Sequence, residues 1–206
     1  ISSQLDMDRL DYLRRDSFFT GVNEGNIGSA RIIKMLNVVE DNLVVESKGI
    51  YSIENYLTSR RLMYWQVYLH KTAVACEKVL INALNRAKFL RMTGHDIFAS
   101  PSLDYFLCNN IDASHFHTSP EALEHYSLLD DNDIWCALKV WQKSNDKILA
   151  LLSSDVINRH IFKVEVSDSP FPSDYVCQIK EQLASHFNIS PDDTKHLYSI
   201  DTVQKD

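Results

Sequence analysis

The sequence lacks the features that mark membrane, secreted and repeat proteins. No apolar run approaches the about 18 residues that a membrane-spanning helix needs, and no signal-peptide pattern is present. No internal repeat or low-complexity segment occurs. The cysteines show no C-x-x-C spacing, so we expect reduced and mostly buried thiols in a cytoplasmic protein rather than a disulfide framework. They are Cys76, Cys108, Cys136 and Cys177.

An excess of basic residues is also missing. The chain has 28 acidic and 21 basic residues, for a net charge of −7. This balance argues against a general nucleic-acid or membrane-surface binder, although it leaves room for a local basic pocket. With 206 residues, 45% apolar and 24% charged, the chain is typical of a globular protein with one large domain, or one domain and a small appendage.

The segment from residue 4 to residue 16 contains no glycine or proline and is rich in charge, which predicts a helix. At about 100° per residue, Asp8, Tyr12 and Asp16 fall on one face of that helix, and the opposite face should meet a core. By periodicity alone, the pattern is also typical of a solvated amphipathic helix with i,i+4 charge pairs. Arg9 and Arg15 flank the polar face, and the core face carries Leu10, Leu13 and Ser17.

The longest predicted element runs from Ile50 to about Thr93 without proline or internal glycine. A continuous helix of that length would measure about 65 Å, so we expect a bend. Periodicity assigns one face to the core and places a basic and aromatic stripe on the opposite face. The stripe is also typical of a partly exposed, snorkelling surface. The core face comprises Leu62, Trp65, Leu69, Ala73 and Cys76, and the stripe comprises Arg60, Tyr64, Tyr68 and Lys71.

The remaining patterns complete a mainly α fold. A short helix over 29–36 and a β-hairpin over 38–46, around an Asp-Asn turn, precede the long helix. Several helices follow Gly94. After a strand at 162–166, a breaker cluster, a helix and a strand at 196–203 suggest a small α/β appendage. We therefore predict residues 1–157 as one helical domain and residues 158–206 as the appendage.

The order Asp-x-Asp-Arg-x-Asp-Tyr-x-x-Arg-Asp, in the first predicted helix, closely resembles the last metal-ligand helix of HD-domain metal-dependent phosphohydrolases. The branch that it resembles contains the deoxynucleoside-triphosphate triphosphohydrolases. The resemblance implies that the helical core is HD-domain-like and that Asp8 is the final, catalytic ligand of a His, His-Asp, Asp metal site. It also implies that Arg9, Tyr12 and Asp16 contact the phosphates and sugar of the substrate.

A second pattern, Arg-x7-Tyr-x-His-Lys, is similar to a segment of the same family and runs from Arg60 to Lys71. By this resemblance Arg60 contacts the phosphates, Tyr68 packs on the deoxyribose, and Tyr64 stands where some relatives carry histidine. We include Tyr64 and Lys71 among the substrate-binding residues. The resemblance also implies a regulatory nucleotide site. Its candidates are His70, Arg159 and Lys163, the last two in an Arg-x-x-Phe-Lys pattern that is also typical of a basic strand edge.

The function implied is hydrolysis of deoxynucleoside triphosphates to nucleoside and triphosphate with a divalent metal, which could be Mg, Mn, Fe, Zn or Ni. The other metal ligands are expected upstream of residue 1. We therefore expect this chain to be the C-terminal part of the enzyme, inactive and metal-free by itself. Expected partners are the nucleotide, the N-terminal part of the HD domain and further copies in a homo-oligomer, without membrane or general nucleic-acid binding. Two alternatives stay open: an HD phosphohydrolase acting on another nucleotide, and a non-catalytic regulatory or oligomerisation segment that binds nucleotide.

Overall fold

The computed structural model describes residues 5–202, which form ten α-helices and a small antiparallel hairpin. The prediction of a mainly α fold with a hairpin is confirmed. No helix between residues 5 and 202 is both long and apolar enough to cross a membrane. The helices are α1 Met7–Thr20, α2 Ser29–Met35, α3 Ile50–Met63, α4 Lys71–Met92, α5 Pro101–Cys108, α6 His115–Thr118, α7 Pro120–Leu128, α8 Asp131–Trp141, α9 Lys147–Asn158 and α10 Ser173–Phe187. The strands are β1 Leu36–Val39 and β2 Asn42–Val45.

The chain divides into two compact units, which we call the first unit (residues 1–74) and the second unit (residues 75–206). This division differs from the boundary that we expected after residue 157. After residue 157, Leu197 is part of the apolar core of the second unit, and Phe162, Leu183, Phe187 and Ile189 pack against that core. Residues 158–202 therefore share apolar contacts with the rest of the second unit, and the domain boundary after residue 157 stays a prediction.

Capping residues define both ends of helix α1. The Asp6 carboxylate accepts a hydrogen bond from the backbone N–H of Asp8, and Gly21 ends the helix in the left-handed region at φ 73°. The predicted start at residue 4 lies outside the described residues. The predicted core face is confirmed, because the buried residues of α1 are Leu10, Leu13 and Ser17. Leu10 and Leu13 pack in a cluster with Ile27, Ile32, Tyr56 and Met63.

The hairpin forms where the β-rich runs predicted it, with Leu36 opposite Val45 and Val39 opposite Asn42. The two central turn residues are Glu40 and Asp41, one position earlier than the predicted Asp-Asn turn. Both adopt positive φ, 50° and 61°. A two-residue turn with both residues left-handed matches the right-handed twist of paired strands, which explains the tight register.

The predicted long helix is interrupted at a π-helical turn, Tyr64–Tyr68, between α3 and α4. The backbone N–H of Leu69 donates to the carbonyl of Tyr64 at 2.7 Å, a bond that spans five residues instead of four. The predicted core face of this segment is wrong. Trp65 is 45% exposed, and Leu69, Ala73 and Cys76 are also exposed. The buried residues of α3 are Tyr56, Ser59 and Met63.

The second unit has a larger apolar core, to which α4, α5, α8 and α9 contribute. Beside that core, the buried Arg86 guanidinium of α4 donates two hydrogen bonds to Asp146, at 3.1 and 2.6 Å, and pairs with Asp193. Asp146 also caps α9 by accepting from the Leu149 N–H. Burial lowers the pKa of Arg86, but its two carboxylate partners outweigh that effect and raise the pKa above its ordinary value.

Two further predictions about residues 75–202 are wrong. Residues 162–166 and 196–202 form no strand; Val203 lies outside the described residues. A strand persists only where a second strand pairs with its backbone, and in residues 5–202 the hairpin is the only such pairing. The four cysteines are exposed rather than buried, because their spacing carries information about pairing but none about burial.

Candidate functional site

The candidate site is built on one face of α1. Asp8, Tyr12 and Asp16 recur every four residues, so they follow one another along the helix surface. Asp8 is exposed, whereas Tyr12 and Asp16 are partly buried. Arg15 flanks this face, with its Nε 3.8 Å from a carboxylate oxygen of Asp16. The face therefore presents carboxylates and a phenol at graded depths.

A hydrogen bond joins this face to the π-helical turn. The Tyr68 hydroxyl donates to a carboxylate oxygen of Asp16 at 2.7 Å. Burial raises the pKa of Tyr68 well above its ordinary value, and the bond to Asp16 raises it further. Tyr68 is therefore a protonated donor at neutral pH, and Asp16 has its second oxygen on the side of Arg15.

Three tyrosine rings and an arginine cluster beside this bond. The Tyr12 and Tyr68 rings meet edge to face at 5.8 Å between centroids, and the Tyr64 and Tyr68 rings do so at 5.2 Å. The Arg60 guanidinium lies over the Tyr64 ring, 5.6 Å from its centroid. Burial and then a hydrogen bond with Tyr64 raise the pKa of Tyr12 to about 12, while the charges of Arg9 and Arg60 oppose the rise.

The loop after α1 holds α1 and α3 in position. The Ser17 hydroxyl donates to the Val22 carbonyl at 2.7 Å. Gly25 is buried, and a Cβ at this position would lie 2.7 Å from both Met63 Sδ and Ser17 Cβ. Only glycine allows such an approach without a shift. Ser17 follows Asp16 in α1, and Met63 directly precedes the π-helical turn that contains Tyr68. The close packing at Gly25 therefore sets the distance between α1 and that turn.

The structure thus brings together five predicted site residues. They are Tyr12, Asp16, Arg60, Tyr64 and Tyr68. Arg9 acts on Tyr12 through its charge. Lys71 and His70 are exposed, and among residues 5–202 neither forms a hydrogen bond, ion pair or ring contact with the cluster. In the second unit, Arg159 is exposed in the left-handed region at φ 59°, and Lys163 pairs with Glu165 at 2.8 Å.

The described residues do not by themselves form a metal site. Between residues 5 and 202, no group of three or more His, Cys, Asp or Glu side chains is arranged to hold an ion. Asp8 offers one carboxylate, and one carboxylate is too few ligands for a divalent cation. The residues present therefore fit, at most, a share of a metal site.

Sequence reasoning missed two parts of this arrangement, namely the π-helical turn and the close packing at Gly25. The only signal for the glycine was its place in the Glu24-Gly25-Asn26 loop, which indicates a turn but no contact partner. The hydrogen bond between Asp16 and Tyr68 joins residues 52 positions apart, a distance that helical periodicity cannot address.

Comparison with known proteins addresses part of this site. Residues 27–99 match the HD associated region. The match includes Arg60, Tyr64, Tyr68 and Lys71, whereas α1 lies before it.

The chain is also similar to several individual proteins. A phosphohydrolase from Bacteroides thetaiotaomicron, known from its crystal structure, is 59% identical with a TM-score of 0.89, over 95% of this chain and 48% of its own. The uncharacterized protein YwfO of Bacillus subtilis is 36% identical over 79% of this chain and 36% of its own length. The deoxynucleoside triphosphate triphosphohydrolase SAMHD1 homolog of Dictyostelium discoideum is 28% identical over 44% of this chain and 18% of its own.

This chain spans 48% of the Bacteroides phosphohydrolase and 36% of the Bacillus protein. It carries an HD associated region on a fold similar to that of a phosphohydrolase. To that extent the comparisons support the predicted resemblance to HD-domain phosphohydrolases.

Proposed function

We propose that this chain forms the nucleotide-binding part of a metal-dependent HD phosphohydrolase that hydrolyses deoxynucleoside triphosphates to nucleoside and triphosphate. The observation that carries the proposal is the hydrogen bond from Tyr68 to Asp16 at 2.7 Å, beside Tyr12, Tyr64 and Arg60. The two sequence patterns that resemble this family each contain one partner of that bond. Asp16 lies in the first pattern and Tyr68 in the second. The similarity to the Bacteroides phosphohydrolase supports the reaction class.

The chemistry of the cluster suits a nucleotide. Tyrosine rings offer flat surfaces to a deoxyribose, and the Tyr68–Asp16 pair offers acceptor oxygens to a sugar hydroxyl. Arg60 offers planar, charge-assisted donors that match phosphate oxygens, and Arg9 and Lys71 add positive charge. Of the groups in a nucleotide, the phosphates match this combination of donors best.

In this proposal Asp8 supplies one ligand of a divalent metal, which could be Mg, Mn, Fe, Zn or Ni. Its remaining ligands would lie outside the described residues. Asp8 lies one helical turn before Tyr12, so a metal held there would be near a nucleotide on the tyrosines. We further propose a cytoplasmic homo-oligomer, with His70, Arg159 and Lys163 as candidates for a regulatory nucleotide site.

A second function is favoured by one observation. No group of three metal-ligating side chains occurs between residues 5 and 202, which fits a segment that binds nucleotide or partner subunits without catalysis. A third possibility keeps the chemistry and changes the substrate to another nucleotide. Arg60 with three tyrosines favours a phosphate chain attached to a sugar over a phosphate alone.

Turnover separates these functions. The full-length protein is assayed for triphosphate release from dGTP with Mn²⁺ or Mg²⁺, and the variant Asp8→Ala should lose activity by a factor of about 1,000, the order expected when a group that stabilises the transition state is removed. Glu54→Ala removes an equally exposed carboxylate on α3 and should match the parent. Nucleotide-dependent association without turnover supports the regulatory function. Equal activity of both variants excludes Asp8 from catalysis.

A further inference from the structure

Tyr64 is the residue at which the helix geometry changes. Its carbonyl accepts the five-residue hydrogen bond from Leu69, so Tyr64 opens the π-helical turn and Tyr68 ends it. Single π-helical turns inside helices occur preferentially where side chains must be aimed at a function. Here the turn sets the Tyr64 and Tyr68 rings edge to face at 5.2 Å.

Tyr64 also contacts the other side of the cluster. The Arg60 guanidinium lies over its ring at 5.6 Å, four residues earlier on the same face of α3. Tyr64 is 36% exposed, so part of its ring and of the stacked guanidinium remains open to a ligand. In residues 5–202 Arg60 makes no ion pair, and the aromatic face is the contact that holds it.

A stacked guanidinium differs from a free one in its readiness to bind. An arginine side chain in water samples many rotamers, and ordering it on a phosphate costs conformational entropy. Stacking on an aromatic ring restricts those rotamers beforehand while leaving the N–H donors at the edge of the guanidinium plane available. The ring thereby organises the arginine without competing for its hydrogen bonds.

We infer that Tyr64 is a positioning residue, which holds the Arg60 guanidinium ready for phosphate and holds the Tyr68 ring toward Asp16. This inference rests on the proposed function, because it assigns a role within the same nucleotide site. The aromatic ring performs the role, and the hydroxyl group contributes to the contact with Tyr12.

The inference makes the ring separable from the hydroxyl. Tyr64→Phe keeps the stacking surface, and Tyr64→Leu keeps apolar bulk without a ring. Tyr64→Leu should bind inorganic triphosphate about fivefold more weakly than Tyr64→Phe does, the magnitude of an exposed cation–π contact. Binding is measured by titration calorimetry on the full-length protein, and deoxyguanosine is titrated separately to report on the sugar side.

A double-mutant cycle tests whether Tyr64 acts through Arg60. Arg60→Ala alone should weaken triphosphate binding, and adding Tyr64→Leu should weaken it no further, because the residue that it positions is already absent. A simple structural role for Tyr64 predicts additive losses instead. Tyr51→Leu, at a tyrosine of α3 that is 79% exposed, serves as the matched control and should leave binding unchanged.

The outcomes are distinguishable. Equal weakening by Phe and Leu, or additivity with Arg60→Ala, overturns the positioning role while the proposed function stands. Binding of neither triphosphate nor deoxyguanosine by the parent protein overturns both. If Tyr64→Leu proves unfolded by circular dichroism, Tyr64→Met, which also lacks a ring, is compared with Tyr64→Phe. Weaker binding by Tyr64→Met supports the inference, and equal affinity contradicts it.

Discussion

Two arginines, one in each unit, are held in different ways. In the second unit, Arg86 is 7% exposed, and its guanidinium is bonded to two carboxylates beside a core of helices. In the first unit, Arg60 rests on a tyrosine ring with no carboxylate partner among the described residues. A neutralised, buried arginine holds elements together, whereas a stacked arginine without a counter-charge can still bind an anion.

The carboxylates of the two units also differ in their availability to a ligand. The acids of the second unit's network are committed to Arg86, and Asp146 caps a helix as well. In the first unit, the carboxylate of Asp16 accepts a hydrogen bond from the hydroxyl of Tyr68 and remains only partly buried. Polar groups that are bound to one another inside a core contribute stability, and those gathered at a surface with aromatic rings are available for recognition.

Replacing Arg86 should give the largest effect and is the strongest test of the first half of this comparison. Arg86→Met leaves Asp146 and Asp193 without their cation, and breaking a buried pair in this way costs about 3 kcal/mol of the free energy of unfolding. Hydrogen exchange should show lost protection in α9, whose cap is Asp146.

The matched control lies on the same helix. Arg91 pairs with Asp104 at 2.6 Å, but both side chains are about one-third exposed, so Arg91→Met should cost much less because water screens such a pair. Equal losses of protection for the two variants would contradict a larger contribution from the buried Arg86 network than from the exposed Arg91 pair.

Gly25 tests how the first unit positions its site, with an intermediate effect. Gly25→Ala places a methyl group 2.7 Å from Met63 Sδ and from Ser17 Cβ. Overpacking of this kind should cost about 2 kcal/mol and separate α1 from α3. Denaturant unfolding measures the cost, and weaker dGTP binding reports the displaced site. Gly28→Ala, where the nearest atom is 4.0 Å away, should be close to neutral; similar costs for both would contradict the account.

The smallest expected effect is a change of folding stability at alkaline pH. Burial raises the pKa of Tyr12 from its ordinary value of 10.0 to about 12. The folded protein therefore keeps this proton to higher pH than the unfolded chain does. The resulting stability is complete below pH 10 and is lost as the pH rises from 10 through 12. Unfolding midpoints at pH 8 and pH 11 should differ less in Tyr12→Phe than in the parent, and an identical pH dependence would be contrary evidence against the buried phenol.

The sequence predicted features that depend on neighbours along the chain and failed on those that depend on distant partners. The buried face of α1 follows from Leu10, Leu13 and Ser17 at helical spacing, and the structure confirms it. The predicted strands at 162–166 and 196–203 required partner strands that no local pattern can supply. Exposure of Trp65 and Leu69 was missed because hydrophobicity selected the wrong face of the segment between α3 and α4.

The site was predictable in its membership more than in its geometry. The two family patterns named Asp16 and Tyr68, and the structure bonds them. The edge-to-face tyrosines depend on the π-helical turn, whose hydrogen bond from Leu69 to Tyr64 leaves no signature in the residue pattern. Gly25 carries its role through contacts with Ser17 and Met63, which become visible only after the loop is folded.

The most direct test of the central claim is the affinity of the full-length protein for dGTP in two single-hydroxyl variants. Tyr68→Phe removes the bond to Asp16 and should weaken binding about tenfold, as expected for loss of a hydrogen bond to a charged group. Tyr51→Phe removes a hydroxyl from a tyrosine of α3 that is 79% exposed and should bind as the unsubstituted protein does. If the two variants bind dGTP with equal affinity, the Tyr68–Asp16 pair does not recognise the nucleotide.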